Sequence, residues 1–324
     1  MRRTIFLTIL TGLCSCIPLC AQNHIVEALN EYGTLDKWSV RAVKESGIIG
    51  GRTKFLHEFF GDRDTVNTRE PFVAPEGYYW RTNNVLAVVA GIVKTSNTVF
   101  PEKRGDGYCA RIETRIEEVK ALGIVNMDVT CQGAFILGTL PEPIRDTRDP
   151  MSKVLYGIGF NGRPSALVFD CKADVGHETV RGTGFSRLKR MGYPDYPEIA
   201  VILQKRWEDE DGNVHALRVG TGYEVIREDI PEWDNGHRIE IHYGDISRED
   251  FYEEGMMLQK ADNVRTFHTL NSRGENVQVI EEGWAAPDET PDVMIIKFLS
   301  SCGEAFYGGV GNTLWIDNIR LEMQ

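Results

Sequence analysis

Glu113 and Asp170 are the two carboxylates of this sequence best placed to act as an acid pair. The chemistry such a pair performs is glycoside hydrolysis, with the acids across a cleft about 5 Å apart for retention or about 6.5–9.5 Å apart for inversion. Each has cations beside it on its own strand face. Glu113 lies between Arg111 and Arg115, and Asp170 is followed by Lys172. Neighbouring positive charge lowers a carboxylate pKa, whereas a general acid needs it raised. Three tryptophans stand among polar groups, in Tyr78-Tyr79-Trp80-Arg81-Thr82-Asn83-Asn84, Gln204-Lys205-Arg206-Trp207-Glu208 and Trp233-Asp234-Asn235. Sugars are held by ring faces stacked on their CH surfaces and by a few directed hydrogen bonds. Trp80, Trp207 and Trp233 are therefore candidate platforms, with Asn84, Arg163, Lys205 and Arg206 as candidate donors. The competing role for any one tryptophan is to anchor a strand end in the core. Asp317 is a candidate ligand for a structural Ca²⁺, because a bulge beside it would expose carbonyls for the same ion. No other cofactor is expected. Gly157-Ile158-Gly159 lacks the third glycine of a phosphate cradle, and neither a serine-hydrolase elbow nor a His-Glu-x-x-His helix occurs.

Short strands must position these groups. After one helical segment that ends at Gly33, strand-like runs follow at Trp38–Lys44, Thr53–Phe59, Leu86–Lys94, Gly107–Glu117, Val125–Leu140, Ala166–Val175, Ile199–Trp207, Val214–Val219, Arg238–Tyr243, Val293–Leu299 and Thr313–Glu322. Gly, Pro, Asn and Asp clusters separate them. Alternation assigns faces: Ala110 and Ile112 oppose Arg111 and Glu113, and Leu167, Phe169, Cys171 and Ala173 oppose Asp170 and Lys172. Glu208 to Asn213 reads as a hairpin turn whose Asp-Gly supplies positive φ. In the last run Leu314 and Ile316 share one parity and Ile319 and Leu321 the other, which predicts a β-bulge at Asp317-Asn318. Arg248 to Lys260 is helix-permissive and is expected to be an insertion. This pattern predicts an all-β fold, a β-sandwich of jelly-roll type with a short N-terminal helical segment.

The chain has 324 residues, 42% of them hydrophobic and 26% charged, with 32 glycines and 13 prolines. That composition excludes disorder and a multi-span membrane protein. A formal charge of −12 argues against nucleic acid as a partner. Met1-Arg2-Arg3 followed by the apolar Ile5–Leu13 has the layout of a secretory signal peptide, with cleavage expected after Ala21. Its loss removes two arginines and no acid, leaving 34 cations against 48 acids and a charge of −14. The alternative is a lipoprotein anchored at Cys16, the only route to a membrane this reading provides. The expected segments are a leader over 1–21, a helical segment over 22–37 and the sandwich over 38–324. Cys109, Cys131, Cys171 and Cys302 remain after cleavage, as buried thiols or with one disulfide among them.

Taken together, Trp38-Ser39-Val40 through Gly50-Gly51, Ser96-Asn97-Thr98-Val99-Phe100-Pro101-Glu102-Lys103-Arg104, Phe160-Asn161-Gly162-Arg163-Pro164-Ser165-Ala166-Leu167, Leu203-Gln204-Lys205-Arg206-Trp207 and Gly311-Asn312-Thr313-Leu314-Trp315-Ile316-Asp317-Asn318 resemble the putative carbohydrate metabolism domain (PCMD) family of secreted Bacteroides-type proteins. The resemblance implies a jelly roll like those of carbohydrate-binding modules, and a link to glycan use. It supplies no catalytic residues. Many members also carry an amino-terminal immunoglobulin-like domain, for which the residues ahead of Trp38 are too few. The expected function is an exported glycan-binding protein of a bacterial envelope, with a glycan or oligosaccharide as partner. A glycoside hydrolase and an envelope scaffold or adhesion component are the alternatives.

Overall fold

The computed structural model describes residues 19–59, 66–121, 125–146, 148–263 and 266–324. The basic and apolar leader, with Cys16, lies outside them. After helix α1 (Leu19–Tyr32), the strands that build the two main sheets and the site begin, in chain order, with β1 (Val99–Arg104), β2 (Gly107–Glu113), β3 (Ala134–Thr139), β4 (Leu155–Tyr156) and β5 (Pro164–Asp174). Next come β6 (Glu178–Arg181), β7 (Lys189–Pro194), β8 (Glu198–Glu208), β9 (Val214–Val225) and β10 (Ile230–Glu240). The last are β11 (Phe267–Leu270), β12 (Asn276–Trp284), β13 (Val293–Leu299) and β14 (Thr313–Met323). Strands dominate, and two main sheets pack face to face as the sequence predicts. Among the described residues no helix is long and apolar enough to cross a membrane.

One sheet has five strands in the order β10-β5-β14-β2-β1. The other is larger, and its pairings form a ring. They run from β13 to β8, β9, β12, β11, β4 and β3, and β3 pairs with β13 again. Two of these contacts, β9 with β12 and β11 with β4, are parallel. Residues of β8 and β13 alternate between two interiors. Ile199, Val201, Leu203, Met294, Ile296 and Phe298 enter the core between the sheets. Ile202, Ile295 and Leu299 point into the ring beside Ile136, Tyr156, Val214, Phe267 and Val279. Burial on both faces explains why β8 and β13 read as nearly continuous apolar runs.

The expected bulge is present. Val168 pairs with Arg320 and Asp170 with Asp317, so one residue of β5 faces two of β14. Asn318 takes up the extra length at φ 49°. Helix α1 docks there: Ile319 N donates to Gly33 O at 2.8 Å, and Leu321 N donates to Asn30 Oδ1 at 3.0 Å. The approach is so close that a Cβ on Gly33 would lie 1.9 Å from Ile319 O.

Several runs subdivide. Gly107–Glu117 breaks at Thr114, whose N–H leaves the strand to reach Asn312 O at 2.9 Å. Leu86–Lys94 is a hairpin turning at Ala90 and Gly91, both at positive φ. Arg248–Lys260, expected as a helix-permissive insertion, lies between β10 and β11 and forms turns and one short 3₁₀ segment instead of a helix. Its backbone groups bond to the ring: Met256 O accepts from Arg218 at 3.3 Å, and Gln259 N donates to Glu281 Oε2 at 2.8 Å. Those bonds replace the ones a helix would make with itself. Cys109, Cys131, Cys171 and Cys302 are free thiols. Burial pushes the Cys109 and Cys171 thiols up to about 12.

Candidate functional site

Glu198 and Lys297 stand within the apolar runs of β8 and β13, and both line one mouth of the ring. Glu198 is 1% exposed. A carboxylate that far from water requires a counter-charge and hydrogen-bond donors. Lys297 Nζ donates to Glu198 Oε1 at 2.5 Å, and the Tyr223 hydroxyl donates to Oε2 at 3.1 Å. The Lys297 ammonium also lies 5.7 Å from the centre of the Phe267 ring. Above this floor opens a groove of about 690 Å³. Tyr156, Tyr196 and Phe267 form part of its wall, the insertion contributes Glu253, Glu254 and Gln259, and Asp262 and Asn263 follow just beyond it. Arg227 pairs with Glu253 at 2.6 Å on the rim. A Cβ on Gly255 would lie 1.9 Å from the Tyr223 hydroxyl, so the insertion can close against that ring only with glycine there. Aromatic surfaces, carboxylates and amides around a volume of this size match the composition of a small-molecule site at a barrel mouth.

The residues nominated from the sequence lie elsewhere, and most have structural partners. Trp80 is 2% exposed; it stacks on Phe135 at 5.3 Å and donates from Nε1 to Leu29 O at 3.2 Å. It is a core residue that no sugar face can reach. Asn84 is buried and saturated, donating to His57 O and Val99 O and accepting from Thr98 N and Val99 N. Arg163 lies over the Tyr243 ring at 4.0 Å and bonds the carbonyls of Glu289 and Pro287. Arg206 is spent on Gln204 Oε1 and Tyr156 O, and burial lowers its pKa to about 10. Lys205 reaches towards Asp292 at 3.7 Å. Trp207 is exposed and stacks on His215. It is nine residues along β8 from Glu198, about 30 Å in an extended strand.

Glu113 and Asp170 do not face each other across a cleft. Glu113 pairs with Thr313, and Thr313 with Asp174. Asp170 is thus two strands across and four residues along, about 16 Å away, beyond either glycosidase spacing. Glu113 is gripped by Arg111 at 2.6 Å and Arg115 at 3.0 Å. Asp170, Trp233 and Asp317, nominated for three different roles, meet around one residue that the sequence reading did not single out. Arg104 Nη1 lies 2.8 Å from Asp170 Oδ2 and 2.6 Å from Asp317 Oδ2, and its guanidinium covers Trp233 at 3.8 Å. Asp317, the candidate calcium ligand, is thus ion-paired with a guanidinium. Burial raises the Asp317 pKa against the pull of Arg104. For Asp170 burial acts the same way, but hydrogen bonds from Asn318, Arg104 and Gly236 outweigh it and hold the carboxyl low. This cluster fastens β1, β5, β10 and β14 together.

A second charged group lies between the two sheets. His237 Nδ1 faces Asp234 Oδ2, and Nε2 faces Glu224 Oε2, both at 2.7 Å. Cys171 is close enough to complete a possible metal set with Asp234 and His237, yet carboxylates on both ring nitrogens are the surroundings of an imidazolium, not of a metal ligand. The bond to Glu224 is the largest cause of a His237 pKa raised to about 9, with burial opposing and Asp234 assisting. Because the folded pKa lies above the unfolded one, this contribution to stability is complete below about pH 6.5 and is lost as pH rises through about 9. Melting curves should therefore show His237→Gln less stable than the parent at pH 6 and the gap closed at pH 10. An equal gap at both pH values would show that the imidazolium adds nothing.

A signal for the groove was present in the sequence. A lone Lys in Met294-Ile295-Ile296-Lys297-Phe298-Leu299 and a lone Glu opening Glu198-Ile199-Ala200-Val201-Ile202-Leu203 are charges in strands buried on both faces, which must find each other. Neither run names its partner.

The fold is similar to two solved structures. One is a putative glycoside hydrolase from Bacteroides thetaiotaomicron, at 14% identity and a TM-score of 0.44 over 85% of this chain and 81% of that one. The other is a putative glycoside hydrolase from Bacteroides vulgatus, at 15% identity and a TM-score of 0.42 over 85% and 88%. Likenesses of that size transfer neither residues nor activity to this chain. No protein-family model and no curated protein matches it, and the PCMD resemblance stays one of sequence segments.

Proposed function

We propose that this is an exported glycan-binding protein whose binding site is the groove at the mouth of the ring. One observation carries the reading: the groove combines tyrosine and phenylalanine surfaces with Glu198, Lys297 and the polar groups of the insertion in one concave space. A sugar ring presents apolar CH faces to the aromatics and hydroxyls to the carboxylates and amides, and each wall answers one of those needs. Export is supported by the basic and apolar leader.

Titration calorimetry against a panel of neutral oligosaccharides tests the site. Tyr196→Ala should weaken binding about tenfold, the size of one lost stacking contact, while Trp207→Ala should leave it unchanged. A folded protein that binds nothing on the panel, or a loss of binding with Trp207→Ala alone, overturns the proposal. Hydrolysis is a second reading, favoured by the presence of acids from two separate elements, Glu198 on β8 and Glu253 and Glu254 on the insertion, around the same groove. It requires release of reducing ends by the parent protein that stops in Glu198→Gln.

A further inference from the structure

Strands β6 and β7 form a hairpin whose connecting loop carries the most exposed large apolar side chain among the described residues. Phe185 is 83% exposed, and Tyr193 and Leu188 are 49% and 42% exposed. From Arg181 through Tyr193 there are four cations, Arg181 included, and no acid, in a chain whose formal charge is −12. Arg187, Lys189 and Arg190 are exposed. Glu178 answers Arg190 at 2.6 Å, and among the described residues no ion pair involves Arg187 or Lys189.

The loop is held in place, so the exposure of Phe185 is built in. Thr130 N donates to Gly182 O at 2.9 Å, Gly182 N to Phe306 O at 3.0 Å, and Gly184 N to Asp128 O at 3.0 Å. Gly184 makes the turn at φ +80°, and a Cβ on Gly182 would lie 2.6 Å from Leu188 Cδ2. Two neighbouring elements therefore fix the loop's backbone at Gly182 and Gly184, just ahead of the apolar tip, which stays in solvent.

We propose that this hairpin is a docking site for an anionic lipid surface, separate from the groove and independent of what the groove binds. Charge complementarity selects an anionic partner. The apolar tip selects one that can take up a phenyl ring, which a bilayer interface does between its headgroups. Tyrosine belongs at the headgroup level, and arginine matches phosphate with paired donors. A rigid loop gives up little conformational freedom on docking. A sulfated or carboxylated polysaccharide would use the cations but would leave Phe185 without a role.

The test is sedimentation of the exported protein with vesicles of neutral phosphatidylcholine, alone or with three parts in ten of anionic phosphatidylglycerol, in 0.1 M KCl. Binding should require the anionic lipid and fall away in 0.5 M KCl. Lys189→Ala should weaken it about fivefold, the effect of one interfacial cation, and Phe185→Ser about tenfold. Both positions are exposed, so melting temperatures should stay at the parent value. In Phe185→Trp the indole emission should shift to the blue on anionic vesicles. Absence of binding by the parent overturns the proposal. So does equal binding to neutral vesicles, or tight binding to a sulfated polysaccharide that Phe185→Ser leaves intact in place of vesicle binding.

Discussion

Arg218→Met should destabilise the protein by about 3–5 kcal/mol, because it leaves a carboxylate buried without its counter-charge. Arg218 and Glu281 expose 1% and 0% of their side chains inside the ring. Arg218 Nε donates to Glu281 Oε1 at 2.7 Å, and Nη2 closes the second arm of the fork on Oε2. Gln204 Nε2 donates to the same carboxylate at 2.6 Å, and so does Gln259 N at 2.8 Å. Burial opposes ionisation of Glu281, but the Arg218 charge and these bonds prevail, and its pKa falls below the ordinary carboxylate value. The linked stability is therefore present above that ordinary value and is lost as pH falls through the lower, folded one. Urea denaturation at neutral pH measures the loss. The double variant Arg218→Met with Glu281→Leu should recover much of it, since two apolar groups leave no unpaired charge at that point of the ring. A single variant within 1 kcal/mol of the parent would contradict the geometry.

Trp80→Ala should cost about 3–5 kcal/mol, the range for emptying a large aromatic from a packed core. Its ring lies between Phe135 and Phe298, and its N–H is a tie from the sandwich to helix α1 through Leu29 O. Trp80→Phe keeps most of the packing and loses that tie, so about 1–2 kcal/mol is expected, including the unpaired carbonyl. Denaturation curves of both variants give the comparison. If Trp80→Ala kept parental stability and only glycan binding suffered, the residue would be a sugar platform after all, contrary to its burial.

The secondary pattern was legible wherever one strand face was buried and the other was not. Alternation in β2 and β5 placed Arg111, Glu113 and Asp170 opposite the apolar face, where the structure has them, with Glu113 paired to Arg111 and Asp170 to Arg104. The phase change in Leu314 to Leu321 located the bulge to within one residue. Two kinds of element were harder to find. The hairpin at Ala90-Gly91 puts an alanine at positive φ, which no local rule anticipates. Segment 248–260 has the composition of a helix, but bonds to Arg218 and Glu281 hold its backbone otherwise.

The chemistry was less legible than the fold, because the nominated groups were chosen by their neighbours in sequence. Local composition puts Lys205, Arg206 and Trp207 together, yet successive strand residues point to opposite faces and end in different surroundings. The sequence by itself determined an all-β chain, the faces of its alternating strands and the bulge at Asp317-Asn318, since each depends on periods of two residues. Only the tertiary structure decided that Glu198, Tyr223 and Lys297 share a floor and that Arg104 gathers Asp170, Asp317 and Trp233. Apart from Glu198 and Tyr223, which share the β8–β9 hairpin, those groups come from strands far apart in the chain. Their meeting depends on the ring's closure and on register across both sheets, which local patterning does not encode.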